Sequence, residues 1–339
     1  LSNRVQKIKP SATIAVSDKA KQLKAQGVQI VSMGSGEPDF DTPVNIQKAA
    51  TQAISAGETR YTAVDGTPQL KKAICEKFKR ENGLEYSDNE VMVSSGGKQV
   101  FYNLCQAILN KGDEVIIPSP YWVSYPDIVL LADATPVFIE AGLEQEFKIT
   151  AEQLESSINA NTKLLVLNSP SNPTGAVYTK SEIESFGEIL ERHPHVNIIS
   201  DDIYEHIRWE EDEFVNIAMA CPNLKNRTII LNGVSKAYAM TGWRIGYAAG
   251  PEDIIKAMKK IQGQSTSNPS SISQAAALEA ISGDQSFIKM MVEAFQRRHN
   301  FLVDSLNSID GIECPQSHGA FYSFPRVQGL IDRLGLKDD

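Results

Sequence analysis

Cysteine is scarce in this chain. Four residues in 339, Cys75, Cys105, Cys221 and Cys314, lie far apart with no CxxC or metal-ligand spacing. That argues against a disulfide scaffold or a zinc module and fits buried free thiols in a reducing compartment. Histidine is equally sparse. The five, His193, His195, His206, His299 and His318, fall in no metal-binding pattern and read as surface or structural groups, so no metal is expected. No apolar run reaches the length of a membrane span. The opening LSNRVQKIKP lacks the apolar stretch of a secretory signal, and Leu1 in place of Met reads as a processed or trimmed start. Basic charge is not in excess either. Lys and Arg total 33 against 42 Asp and Glu, a net charge of −9 with the two signs interleaved. A nucleic-acid or anionic-membrane surface is therefore not the expected partner. These absences point to a cytoplasmic, enzyme-like chain.

Two familiar phosphate signatures are missing as well. Gly97-Lys98 is not a Walker loop, because no glycine stands five positions before Gly97 and Gln99 replaces Ser or Thr. Gly34-Ser35-Gly36 is not a dinucleotide fingerprint, because Asp39 occupies the place of the third glycine.

What is present is a rhythm of helix and strand. Amphipathic helix patterns occur at Val44–Ala56, Thr67–Asn82, Lys98–Asn110, Lys180–Arg192 and Asp253–Gln262. Runs suited to buried strands lie at Val91–Ser94, Glu114–Ile117, Pro136–Glu140, Leu164–Asn168, Val196–Ser200, Thr228–Asn232 and Ile245–Ala249. Those runs are apolar on both faces, as in a sheet covered by helices on each side. The alternation predicts an α/β, doubly wound domain over residues 45–284. Residues 1–44 and 285–339 are expected to form a smaller α+β domain from the two chain ends. It would contain a long helix, Gln285–Asn307, and a last strand, Gly319–Phe324.

In such a sheet, ligands sit beyond the carboxyl ends of the strands. Several polar groups fall there. Ser95-Gly96-Gly97-Lys98 follows the first strand and opens a helix, where first-turn N–H groups and the helix dipole attract a phosphate, although paired glycines also serve plain tight turns. Asn172, in NSPSNPTG, follows the Leu164–Asn168 strand. Asp201 follows the next and is trailed by Tyr204; a carboxylate there could pair with a protonated ring nitrogen, or simply cap a helix. Pro120-Tyr121-Trp122 offers an aromatic face for stacking. Lys236 stands just past the Thr228–Asn232 strand, with Arg244 eight positions on (244 − 236 = 8). A lysine that forms an imine and an arginine that holds a phosphate at this spacing would suit a cofactor carrying an aldehyde and a phosphate on one ring.

The fourteen residues Gly233–Gly246, GVSKAYAMTGWRIG, resemble the lysine signature of class I pyridoxal-phosphate aminotransferases. With GEPDFDTP, GGKQ, PYWVSYP and NSPSNPTG, the likeness runs from about Val5 to Phe324 and is greatest for the bacterial aspartate/prephenate branch. The resemblance implies a fold type I architecture with a mainly parallel seven-stranded sheet. It implies pyridoxal 5′-phosphate held by Lys236 as an imine, and transamination of aspartate with 2-oxoglutarate by a ping-pong scheme. Arg244, Ser235, Gly97 and Lys98 would hold the phosphate, Asp201 the pyridine nitrogen, Asn172 and Tyr204 the 3′ oxygen, and Trp122 the ring face. Gly36, Trp122, Asn172 and Lys9 would meet the substrate, with Lys98 a second candidate for an acidic side chain. Tyr61, in GETRY, would reach the phosphate of a neighbouring subunit, making the active site composite and the enzyme a homodimer. Asn172–Pro173 and Ser119–Pro120 are expected to be cis. Relatives clamp the substrate α-carboxylate with a late arginine. No residue up to Asp339 matches its motif, Arg326 and Arg333 read as solvated surface, and weak turnover with cofactor binding retained is the expectation. A related aminotransferase for prephenate, aromatic or kynurenine-type substrates, a C–S lyase, or a non-catalytic cofactor-binding module remain alternatives on the same residues.

Overall fold

The computed structural model describes residues 1–10, 12–34, 36–209 and 212–338. Seven strands form one sheet: β1 Val91–Ser94, β2 Glu114–Ser119, β3 Thr135–Glu140, β4 Thr162–Asn168, β5 Asn197–Asp201, β6 Thr228–Gly233 and β7 Gly246–Ala249. Their spatial order is β1-β7-β6-β5-β4-β2-β3. The pairs from β3 across to β6 are parallel, whereas β7 runs antiparallel to both neighbours, β1 and β6. Each of the seven strand runs expected in the sheet is matched to within a few residues. β1, β6 and β7 are buried along their whole length, as strands covered on both faces must be.

The helices form where amphipathic spacing meets a capping group. In Pro68–Asn82, Leu70, Ile74 and Phe78 bury one face, the Thr67 hydroxyl accepts from the Leu70 N–H, and Gly83 ends the helix at φ 65°. Lys180–Arg192 begins with a reciprocal Thr179–Glu182 capping box. Helices at Ala12–Ala25, Ser124–Leu131, Ala151–Ser157 and Ser271–Ser282 add to those expected from the sequence. Apolar clusters fill the two sides of the sheet, one around Ile74, Phe78 and Tyr247, another around Phe101, Leu104 and Val129.

One expectation fails. Gly319–Phe324 is not a strand: among the described residues it makes a single bridge, Gly319 with Arg208, and the next residue, Ala320, takes φ 58°. A left-handed residue turns the chain out of the extended path, so the apolar alternation there belongs to a loop packed on the core. That loop joins Tyr204 and Ile207 to Met291 and Phe295 of the long helix Ser286–Asn307.

Candidate active site

The carboxyl ends of β4, β5 and β6 open into a cleft of about 520 Å³. Of the residues singled out from the sequence, Gly36, Gly97, Lys98, Trp122, Asn172, Asp201, Tyr204, Ser235, Lys236 and Arg244 all line it. Lys9 and Tyr61 do not. The Lys9 backbone N–H donates to Asp127 Oδ1 at the surface, and Tyr61 is 91% exposed. Arg326 and Arg333 also lie outside the cleft, facing Glu144 and Asp310. Ser119–Pro120 and Asn172–Pro173 are cis, and so is Ser169–Pro170. Ser35, in the glycine loop, is outside the described residues.

The floor of the cleft is Asp201, the last residue of β5 and buried. Burial lifts its carboxyl to about 6, against the pull of a hydrogen bond from Tyr125, the Ile203 N–H and the nearby Lys236 charge. Tyr125 Oη donates to Asp201 Oδ2 at 2.5 Å and the Ile203 N–H to Oδ1 at 3.3 Å. Asn168, at the end of β4, links the strand ends: its side-chain amide donates to the Asp201 carbonyl at 2.9 Å, and its oxygen accepts the Asn172 N–H at 2.8 Å. The neighbouring Asp202 points away, bonded to Ser200 and Asn216, so the two adjacent acids have separate environments.

Lys236 occupies the loop between β6 and β7. Its ammonium donates to the Gly36 carbonyl and faces the rings of Phe321 and Tyr204 at 5.5 and 5.8 Å. Burial lowers its pKa to about 8; Glu37 pulls it up, Arg244 pushes it down, and Asp201 pulls it up again. Glu37 is held at the cleft by Thr241 Oγ1, which donates to it at 2.9 Å. Lys98 stands 5.2 Å over the Trp122 ring, its pKa lowered by desolvation and by the Arg244 charge.

Arg244 meets the glycine turn opposite. It adopts φ 58°, a left-handed conformation that costs a non-glycine residue about 1 kcal/mol or more, and its guanidinium bonds the Thr241 carbonyl at 2.8 Å. Gly96, at φ 94°, lies so close that a Cβ there would stand 2.2 Å from Arg244 Nη2. A Cβ on Gly246 would come within 2.4 Å of the Gly97 N–H nitrogen. Glycines thus bring the helix start at Gly97, the guanidinium and the returning strand β7 to one point.

The cleft is polar in a directional sense. Lys98, Arg244 and a helix N-terminus make one end an anion site. At the other end, Asp201 is a lone buried carboxylate suited to a protonated ring nitrogen, and between them stands an amine whose pKa is near neutrality. This donor set fits a small aromatic ring bearing a phosphate, an aldehyde and a basic nitrogen. Sequence reasoning passed over Tyr125, Glu37, Thr241, Asn168 and Tyr322. Tyr125 lies in the quoted PYWVSYP run, one helical turn after Trp122; Tyr322 lies in the segment read as a strand.

Known proteins are similar to this chain over most of its length. The family described as aminotransferase class I and II matches residues 28–334. The aspartate/prephenate aminotransferase of Nitrosomonas europaea is 59% identical over 337 residues, 99% of this chain and 85% of that protein. The enzyme of the same name from Cereibacter sphaeroides is 57% identical over 98% of this chain and 83% of its own length. Among solved structures, the aspartate aminotransferase of Rhizobium meliloti superposes with a TM-score of 0.94 at 51% identity, covering 97% of this chain and 82% of that one. That of Thermus thermophilus with maleate gives 0.92 at 45% identity, over 96% and 84%.

Proposed function

The chain belongs to the class I and II aminotransferases, pyridoxal-phosphate enzymes, and on that premise we propose that it moves the amino group of aspartate to 2-oxoglutarate. The observation that carries the reading is the convergence of Lys236, Asp201 and Arg244 on one cleft. The cofactor, when bound, supplies an electron-accepting ring for the bond broken at the amino acid's α-carbon. The rest is the chain's work.

Arg244, Ser235 and the Gly97–Lys98 turn would hold the phosphate, and Asp201 would keep the ring nitrogen protonated. Asn172 and Tyr204 would meet the 3′ oxygen, and Trp122 would supply an aromatic face for the ring. Lys236, its pKa lowered to about 8 by burial, is the amine that would hold the aldehyde. When free, it would act as the base that removes the proton from the substrate α-carbon and then as the acid that delivers it elsewhere. Amino acid and oxo acid use the cleft in turn, which gives ping-pong kinetics. Lys98, in the cleft, would meet an acidic side chain and Gly36 the α-carboxylate, whereas Lys9, on the surface beside Asp127, lies outside this cleft. The dicarboxylate maleate in the Thermus thermophilus relative supports an acidic substrate. The names of the Nitrosomonas and Cereibacter relatives add prephenate as a second acceptor to assay.

We read the working unit as a cytoplasmic homodimer in which Tyr61, exposed and away from its own cleft, reaches the partner's phosphate site. Among the described residues no helix is long and apolar enough to cross a membrane. Residues 45–284 make the cofactor-binding domain, with 1–44 and 285–339 as the small domain.

The test is the visible absorption of protein loaded with pyridoxal phosphate, before and after borohydride, with the labelled residue mapped. Label on Lys236, and aspartate-dependent conversion of 2-oxoglutarate, are expected. A label elsewhere, or no visible band, would overturn the reading.

A further inference from the structure

Tyr204 does not stand alone at the cleft. Its hydroxyl oxygen lies 2.6 Å from that of Tyr322, on the loop that the left-handed Ala320 turns into the core. The rings meet edge to face, with centroids 5.8 Å apart. Tyr322 also abuts the glycine loop, since a Cβ on Gly36 would fall 2.4 Å from its Oη. The charged groups facing this pair are Lys236, over the Tyr204 ring, and Asp201 on the floor.

Proton counting decides what the pair can do. Burial raises both phenols, Tyr204 well above its ordinary value and Tyr322 to about 12, so each keeps its one hydrogen near neutral pH. One hydrogen is used between the two oxygens. If Tyr204 gives its hydrogen to the cofactor's 3′ oxygen, as the proposed function has it, only Tyr322 is left to donate within the pair. A donor feeding a donor strengthens the outer bond, because hydrogen-bond chains polarise along their length.

We infer that Tyr322 is a positioning residue: by donating to Tyr204 it fixes the direction of that hydroxyl and tunes the charge on the cofactor's 3′ oxygen. The inference rests on the proposed cofactor reading and deepens it. It has a readable consequence. Negative charge on that oxygen helps the Lys236–cofactor adduct keep its proton, so weaker donation to the oxygen raises the pH at which the visible band titrates, and stronger donation lowers it.

The experiment is the pH titration of that band, with cofactor affinity and melting temperature measured alongside, in the parent, Tyr322→Phe, Tyr204→Phe and the double variant. Tyr322→Phe is expected to move the midpoint up by roughly half a pH unit, and Tyr204→Phe further in the same direction. The double variant should match Tyr204→Phe alone, because Tyr322 acts only through Tyr204. Fluorotyrosine at position 322, the same shape with a more acidic hydroxyl, should move the midpoint down, which a purely structural role would not do. An unchanged midpoint with fluorotyrosine, or additive shifts in the double variant, overturns the inference while leaving the cofactor reading intact. Absence of the visible band from the parent overturns that reading instead.

Discussion

Tyr125 Oη donates to Asp201 Oδ2 across 2.5 Å, and both residues are buried at the base of the cleft. This bond is the largest of the effects opposing the burial that drives the Asp201 carboxyl up to about 6. An acid meant to face a ring cation has to be charged, and the phenol helps keep it so.

Removing that phenol should therefore weaken cofactor binding without unfolding the chain. For Tyr125→Phe the carboxyl rises further, and affinity for pyridoxal phosphate near neutral pH is expected to fall about tenfold, the scale of one hydrogen bond to a charged group. Part of the loss returns as the pH is raised. Equilibrium dialysis across pH measures this; an affinity equal to the parent's would sink the idea.

Asp201 also sets a pH dependence of stability. Its folded value, about 6, lies above its ordinary 3.8, so the folded chain binds the extra proton between those values. The stability of the cofactor-free protein is full below the lower value and is lost as pH rises through the upper one. Asp201→Asn removes that loss. Above about pH 6 the cofactor-free variant should melt higher than the parent, by a difference on the order of 2–3 kcal/mol, and below about pH 4 the two should coincide. Melting curves at the two ends of the window decide it, with cofactor affinity collapsing in the same variant.

Glu37 holds Lys236 up against burial and the Arg244 charge. Glu37→Gln takes that attraction away, so the lysine should titrate below about 8 and its reaction with pyridoxal phosphate should begin at lower pH. Stopped-flow rates of adduct formation against pH give the midpoint. A shift upward, or none, would contradict the assignment.

At Gly96 the obstacle is space. Alanine would bring a methyl to 2.2 Å from Arg244 Nη2 while the backbone stays at φ 94°. The guanidinium must move away, and the backbone strain adds about 1 kcal/mol. Gly96→Ala is expected to weaken inorganic phosphate and cofactor binding by about tenfold to a hundredfold. Calorimetric titration of both ligands checks this, and parent-like phosphate binding would refute it.

Much of the site could be read from the sequence because its members end strands. Asp201, Asn172 and Lys236 each follow a run of buried apolar residues, and strand ends on one side of a parallel sheet share a crevice. The residues that support them were not legible. Tyr125 lies 76 positions from Asp201, and Tyr322 lies 118 from Tyr204. Nothing in a local pattern marks a tyrosine as the partner of so distant a group. GAFYSF shows the opposite failure: its apolar and aromatic content imitates a strand, and only the left-handed turn at Ala320, which sequence does not announce, places Tyr322 beside the cleft.

The antiparallel return of β7 beside β6 has an engineering consequence. Lys236 and Arg244 hang from the same hairpin, one on the outgoing arm and one on the incoming arm, and Gly246 on the incoming strand touches the Gly97 turn. The gap between the two basic groups is therefore gauged by the length of one connecting segment. Lengthening or shortening it by a single residue would put both out of register with the same ligand at once. Transplanting this grip into another scaffold would require both strands and the glycine turn, moved as one cassette.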